Sequence, residues 1–233
     1  MTTSGCAVVI PTLDEAGRIA ATVAAAHGLG DEVVVVDGGS VDDTVALARA
    51  AGARVIAANR GRARQMNAGA RATRAPVLVF LHADCRPPAG SCELIAAAIE
   101  GGAAWGRFDV ALAPSTPVLA VVAIAMNLRS HWTGIVTGDQ ALFARRAAFD
   151  AVGGFPEIAL MEDIALSQRL RARFGRPIRI RAAVTADSRR WHRHGVWRTI
   201  AAMWWLRLRY WAGADPDRLH DRYYDQRSRD RRS

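Results

Sequence analysis

Apolar and polar positions follow two rhythms along the first third of the chain. Unbroken apolar runs predict strands over residues 7–10, 32–36, 54–57 and 77–81. Between them apolar residues recur at helical spacing, which predicts helices over 15–26, 42–51 and 61–72. Ser40 is placed to cap the second of these helices. Strands that are apolar throughout are buried on both faces. Their alternation with helices therefore predicts an α/β fold, a mostly parallel sheet flanked by helices. Further on, 141–144 reads as a strand and 164–174 as a helix that follows Glu162-Asp163. Near the end, Trp197, Ile200, Met203, Trp204, Leu208 and Trp211 repeat at helical spacing, with Arg198, Arg207 and Arg209 between them.

The fourth strand ends abruptly. In VLVFLHADCRPP the chain runs from apolar core straight into His82, Ala83 and Asp84. A carboxylate at a buried strand end is costly unless a cation meets it. The same change of character follows the first strand, at Pro11-Thr12-Leu13-Asp14-Glu15, and the second, at Asp37-Gly38-Gly39-Ser40. Each segment has a plain reading by itself. The glycine pair makes a turn, Asp14 or Glu15 serves the dipole of the next helix, and His82 is a satisfied strand-end imidazole. Ligands of parallel sheets, however, bind beyond the carboxyl ends of the strands. Three acidic ends on one edge argue for a nucleotide and a cation. The glycine spacing fits neither a dinucleotide fingerprint nor a P-loop, which argues against NAD and against ATP held in that manner.

Composition and charge refine this. The chain has 233 residues, 51% of them hydrophobic, enough for a large core. All 31 basic residues are arginine and the net charge is +9. The charge is unevenly spread: residues 169–233 hold 18 Arg against 6 Asp, while the first 168 carry a net −3. A basic segment can face nucleic acid, an anionic membrane or a phosphorylated substrate, or be a solvated helix face. Cys6, Cys85 and Cys92 have neither zinc spacing nor the even count of a disulfide framework. The start MTTSGCAVVIP lacks a secretory pattern, and the apolar run 118–126 is far short of the about 20 residues that span a bilayer. The expectation is a cytoplasmic protein. The segment 196–212 either packs on the core or a second subunit, or touches the inner face of the membrane.

Taken in order, VVIPTLDEAGRI, VVVVDGGSVDDT, RGRARQMNAGA, FLHADCRPP, GDQALFARRAAFDAVGGFPEIALMEDIALSQRLR and SRRWHRHGVWRT resemble glycosyltransferase family 2, with its GT-A fold. The chain looks most like a short bacterial subfamily labelled for arsenosugar biosynthesis, with related sequences labelled diaponeurosporenoate glycosyltransferase. The resemblance implies inverting transfer of a sugar from a nucleotide-diphosphate sugar to an acceptor hydroxyl or carboxylate, in arsenosugar or carotenoid glycoside synthesis. The acceptor is then a small or lipid-like molecule, with no nucleic acid as partner and a homodimer as one assembly.

The resemblance also assigns residues. His82-Ala83-Asp84 sits where the family has Asp-x-Asp, so Asp84 holds a divalent cation, Mn²⁺ or Mg²⁺. His82 stands in place of the first aspartate, and imidazole suits Mn²⁺ better. His192 and His194 are further metal candidates. Pro11, Thr12, Asp14 or Glu15, Asp37 and Gly38 face the nucleoside, as do one or two of Arg60, Arg62 and Arg64, with Asn67. Asp139 and Gln140 resemble the acceptor side. In Glu162-Asp163 the second acid corresponds to the family's base and Glu162 orients substrate. Arg189, Arg190 and Trp191 resemble a segment that closes over the diphosphate. A single domain follows, about 1–105 for the donor, 106–190 for the acceptor and 191–233 as a basic aromatic tail. Two rivals remain: a nucleotidyltransferase on a related sheet, and a non-catalytic protein that binds nucleic acid or membrane through the tail.

Overall fold

The computed structural model describes residues 5–219. The predicted alternation is present: β1 (Cys6–Thr12), α1 (Ile19–Ala26), β2 (Glu32–Asp37), α2 (Thr44–Ala50), β3 (Arg54–Ala57), α3 (Arg62–Ala72) and β4 (Val77–Phe80). There follow β5 (Cys85–Arg86), α4 (Ser91–Glu100), β6 (Trp105–Ala113), α5 (Pro117–Thr133), a 3-10 turn (Gly138–Gln140) and β7 (Leu142–Arg145). The chain continues through α6 (Arg146–Ala151), α7 (Glu162–Phe174), β8 (Ile178–Asp187), α8 (Arg189–His194) and α9 (Val196–Trp211). The strands form a mixed sheet in the order β3-β2-β1-β4-β7-β6-β8-β5.

The sheet is less parallel than the strand–helix rhythm predicts. β1, β2, β3 and β4 run parallel, and β6 runs parallel to β8. β7 runs antiparallel to both β4 and β6, and β5 antiparallel to β8. The cause lies at the start of β7. The chain makes its 3-10 turn at the edge where β4 ends, so it must run back along β4, pairing Phe80 with Leu142 and Val77 with Arg145.

Alternate residues of β1 feed two cores. Val8 and Ile10 join one with Ile19, Ile95, Phe108 and Leu119. Ala7 and Val9 join the other with Met66, Phe80, Phe149 and Leu166. The first face is thus covered by α1, α4 and α5, the second by α3, α6 and α7. Full burial of each Val or Ile contributes about 1.5–3 kcal/mol, so this doubly covered strand anchors the sheet. Gly69 lets α3 approach closely: a Cβ there would lie 2.3 Å from a Val9 methyl.

Two local expectations are corrected. The first helix begins at Ile19, because residues 15–18 form a turn in which the Glu15 carbonyl accepts from the Arg18 and Ile19 N–H groups, both at 2.9 Å. Ser40 does not cap α2. Its hydroxyl donates to Asp37 Oδ1 at 2.5 Å and accepts from the Asp14 N–H at 2.9 Å, and the helix opens at Thr44.

Candidate active site

Three parallel strand ends place their loops on one edge, and hydrogen bonds lace the first two loops together. The exposed Asp14 has φ 54° and accepts the Val41 N–H on Oδ1 at 2.9 Å. Glu15 donates its N–H to Thr44 Oγ1 at 2.7 Å. The Asp37 carboxylate is held by its own turn, accepting from the N–H groups of Gly39 at 3.0 Å and Ser40 at 3.1 Å. Gln65, on α3, donates to the carbonyls of Thr12 and Val36, both at 2.8 Å, and so ties β1 to β2. Gly38 lies against that amide, since a Cβ on it would come within 3.0 Å of Gln65 Nε2. Sequence reading did not single out Gln65. A buried polar residue on the apolar face of a helix was its signal.

Glu15, the second of the two acids after β1, is in electrostatic reach of Asp84. Burial raises its pKa, the neighbouring Arg18 opposes the rise, and Asp84 adds to it. Asp14 serves the loop instead. Pro11 and Thr12 are buried at the strand end, and Thr12 Oγ1 has no hydrogen-bond partner. The buried Ala83 is fixed through its carbonyl, which accepts from Thr22 Oγ1 at 2.6 Å.

The densest cluster forms where β4 and the 3-10 turn meet. His82, Asp84 and Asp139 each offer a ligand atom within 4.8 Å of the others. His82 Nδ1 is 3.6 Å from Asp139 Oδ1. Burial works against charge on this ring, and the Asp139 carboxylate outweighs it, so the His82 pKa lies above its ordinary value. The ring packs against Gly138, where a Cβ would sit 2.0 Å from Cε1. One imidazole and two carboxylates are a donor set for a divalent cation, and the nitrogen favours Mn²⁺ over Mg²⁺. The reading of Asp139 as an acceptor-side residue is therefore too narrow, because the antiparallel return of β7 brings it to the strand end that carries His82.

Asp163 is one hydrogen bond from this cluster. Its Oδ2 accepts the Gly138 N–H at 3.0 Å and its Oδ1 the Ile164 N–H at 2.7 Å. Glu162, by contrast, is 4% exposed. Burial pushes its pKa up, and the Asp163 charge adds to that. The Arg62 charge reaches both Glu162 and His82. Strain gathers here as well. The non-glycine residues with positive φ among the described residues are Asp14, Ala141 and Met161, and each is, or lies within two residues of, a carboxylate of the site.

Other predicted residues sit elsewhere. Asn67 clamps the loop before α7, donating to the Phe155 carbonyl at 2.8 Å and accepting its N–H at 3.0 Å. Gln140 is fully buried and bonds to the Thr137 N–H at 3.2 Å, so it shapes the turn and leaves no face for an acceptor. Arg60 is exposed, and Arg64 is exposed and pairs with Glu157 at 3.4 Å. Trp191 is 7% exposed and packs in the first core, which keeps its indole from lying over a sugar in this arrangement. Arg189 pairs with Asp187 at 2.7 Å, and the Asp187 N–H donates to the Asp84 carbonyl at 3.1 Å. The β5–β8 pairing thus joins the strand that carries Arg189's partner, Asp187, to the backbone of Asp84. His192 is exposed and has no place in the three-residue cluster. The side chains of Arg190 and His194, and the last residues of the tail, lie outside the described residues.

Two arginines behind the turn complete the electrostatics. Burial lowers the pKa of Arg129 to about 10 and lowers that of Arg207. The charges of Asp139 and Asp163 act on both. Arg129 Nε has no hydrogen-bond partner.

Residues 7–148 match the model of Glycosyl transferase family 2. Among solved structures, S. aureus TarS (residues 1–349) is similar with a TM-score of 0.65 and 18% identity, over 79% of this chain and 60% of that one. A Pyrobaculum calidifontis mannosyltransferase in complex with GDP-Man and Mn²⁺ is similar at TM-score 0.60 and 21% identity, over 78% of this chain and 56% of that one. Mycobacterium tuberculosis glucosyl-3-phosphoglycerate synthase, in complex with Mn²⁺, UDP-Glc and phosphoglyceric acid, gives TM-score 0.59 and 18% identity, over 78% and 72%. The chain thus spans 60% and 56% of the length of the first two. Among curated proteins none matches.

Proposed function

The chain belongs to glycosyl transferase family 2, and from that premise we propose that it moves a sugar, with inversion, from a nucleotide-diphosphate sugar to an acceptor hydroxyl or carboxylate. The observation that carries the proposal is the convergence of His82, Asp84 and Asp139 within 4.8 Å, with Asp163 bonded to the same turn. Similar folds solved with UDP-GlcNAc, with GDP-Man and Mn²⁺, and with UDP-Glc and Mn²⁺ support the donor class.

His82, Asp84 and Asp139 would hold a divalent cation. When bound, the cation supplies charge neutralisation for the diphosphate leaving group. Arg189, released from Asp187, offers that diphosphate a guanidinium fork. The strand-end loops around Thr12, Glu15 and Asp37 receive the nucleoside. Asp163 takes the acceptor proton as the oxygen attacks, its carboxylate aimed by the Gly138 and Ile164 N–H groups. Glu162, itself buried, orients the acceptor side through its charge on Asp163 rather than by direct contact. The resemblance to the arsenosugar and diaponeurosporenoate subfamily names the acceptors to try first.

Titration calorimetry of UDP tests the site. Wild type should bind UDP in the presence of Mn²⁺ and lose most of that affinity in EDTA. Asp84→Ala should bind weakly in both, by analogy with other ligand or supporting-shell losses of about 10- to 100-fold. Equal, EDTA-insensitive binding by both proteins would remove the cation from the reading.

A further inference from the structure

Most of the large apolar side chains left in water lie on two helices. Of the chain's seven tryptophans, five are exposed: Trp132 at the end of α5, and Trp197, Trp204, Trp205 and Trp211 along α9, at 42% to 77% exposure. Val121, Ile124 and Leu128 are likewise exposed along α5, at 65%, 58% and 47%. The inner sides of both helices are already satisfied. Leu119, Val122 and Met126 of α5 belong to the first core, and Ile200 and Met203 of α9 pack against that same core. The two helices therefore cover one face of the sheet and turn their outer sides away from it. Large apolar side chains exposed in this number have no role in holding the chain together.

We propose that the outer face of α5 and α9 docks the protein on an anionic lipid bilayer. Charge selects this occupant. No acidic residue occurs from Val110 to Gly138 or from Ser188 to Ala214, whereas Arg193, Arg198 and Arg209 are exposed on or beside α9. Arg209 lies over the Trp205 ring, 5.7 Å from its centroid. Tryptophan and arginine side by side suit the headgroup layer, where the ring meets acyl chains and the guanidinium meets phosphate. Each arginine near such a surface adds to the attraction of anionic headgroups. A second copy fits less well, since two such faces would set arginine against arginine. No described helix is long and apolar enough to cross a membrane, so the contact is of the kind that lies in the interface. At 16 residues α9 is about 24 Å long, ample for that.

The face also has a bearing on the site. Arg207, 8% exposed on the inner side of α9, is in electrostatic reach of Asp139 and Asp163. The docking helix is thus the wall of the acceptor side, and a bilayer on its outer face would bring membrane-resident acceptors to that wall. The docking itself stands independently of the catalytic reading, because lipid binding needs neither donor nor acceptor.

Co-sedimentation with vesicles tests it, using the full chain. Wild type should bind phosphatidylglycerol-rich vesicles, with a blue-shifted tryptophan emission quenched by brominated lipid, and should bind pure phosphatidylcholine far less. The net charge alone would draw the protein to anionic vesicles, so the deciding variant keeps it: Trp204→Ala with Trp211→Ala should weaken binding by about tenfold or more. UDP binding by the same variant, unchanged, shows that it is folded and separates this result from the fate of the donor site. Arg209→Glu is a second route to the same loss without touching a tryptophan. Undiminished binding by the tryptophan variant overturns the proposal. So does a wild-type dimer that the same substitutions disperse and that does not bind vesicles.

Discussion

Glu162 is 4% exposed, and Asp163, next in sequence, takes hydrogen bonds from the Gly138 and Ile164 N–H groups. The two acids should respond differently to loss of charge. Asp163→Asn keeps the size of the side chain but cannot accept a proton, so kcat should fall by about 10²- to 10⁴-fold with donor affinity retained. Glu162→Gln should alter acceptor KM more than kcat. Near-native turnover in Asp163→Asn with a dead Glu162→Gln would exchange the roles. Glu162 also carries a pH signature. Its folded pKa is raised by burial above 4.5, so its ionised form costs stability at neutral pH, and the cost fades as pH falls through the folded value. Glu162→Gln should therefore melt above wild type at neutral pH, and the gap should close on acidification. At this scale the sequence was a good guide to residue types and a poor guide to their partners. The acids after β1 and β2 were visible, but nothing in the order of residues showed that Asp37 and Asp14 would be occupied by the Ser40–Val41 turn.

Elements were legible where their pattern was local. The first four strands and three helices follow from apolar runs and spacing, because a strand buried on both faces and a helix with one apolar stripe each declare themselves within a few residues. β7 is a strand in the sequence too, yet its direction is set by the edge at which the 3-10 turn leaves it, and that depends on contacts across about sixty residues between Phe80 and Leu142. The placement of Asp139 beside His82 was hidden for the same reason. β8 begins Ile178-Arg179-Ile180-Arg181, a period of two that reads as a strand once its partner β6 is known. Between these strands lies a network that motif reading passed over. Asp109 accepts from Arg107 at 2.7 Å and from Arg179 at 2.7 Å, its side chain 11% exposed. Burial opposes its ionisation, and the two guanidiniums outweigh burial, so its pKa is lowered from 3.8. The stability this gives is present above pH 3.8 and lost as pH falls through the depressed value. Asp109→Ala leaves the buried Arg107 guanidinium without its carboxylate, while Arg179 still reaches water, and should cost about 3 kcal/mol in urea unfolding at neutral pH. A loss below about 1 kcal/mol would mean that water replaces the carboxylate.

For the whole molecule the uneven charge is the organising fact. The first 168 residues carry a net −3 and build the strand-end edge with its acids, while residues 169–233 carry an excess of 12 positive charges. The sequence showed that partition at once, and it left open whether the tail was core, solvated face or contact surface. The structure divides the answer along one helix: Ile200 and Met203 go inward, and Trp204 and Trp211 stay in water. Helical spacing alone could not have separated these, because both stripes are apolar. Exposure is a property of what covers a helix, and only the assembled sheet shows that α9 has a covered side and an open one.

The contact of His82 with Gly138 makes two positions depend on each other. The ring fills the space that a Cβ at 138 would take, 2.0 Å away. Gly138→Ala should therefore destabilise the protein by about 1–3 kcal/mol, and His82→Asp, which shortens the side chain, should recover much of that in the double variant. Additive losses in that cycle would show that the ring simply moves aside. An aspartate at 82, as in the Asp-x-Asp pattern, makes no such demand on its neighbour. The residue that position 138 can hold is therefore conditional on position 82: an imidazole there demands glycine, and a carboxylate does not.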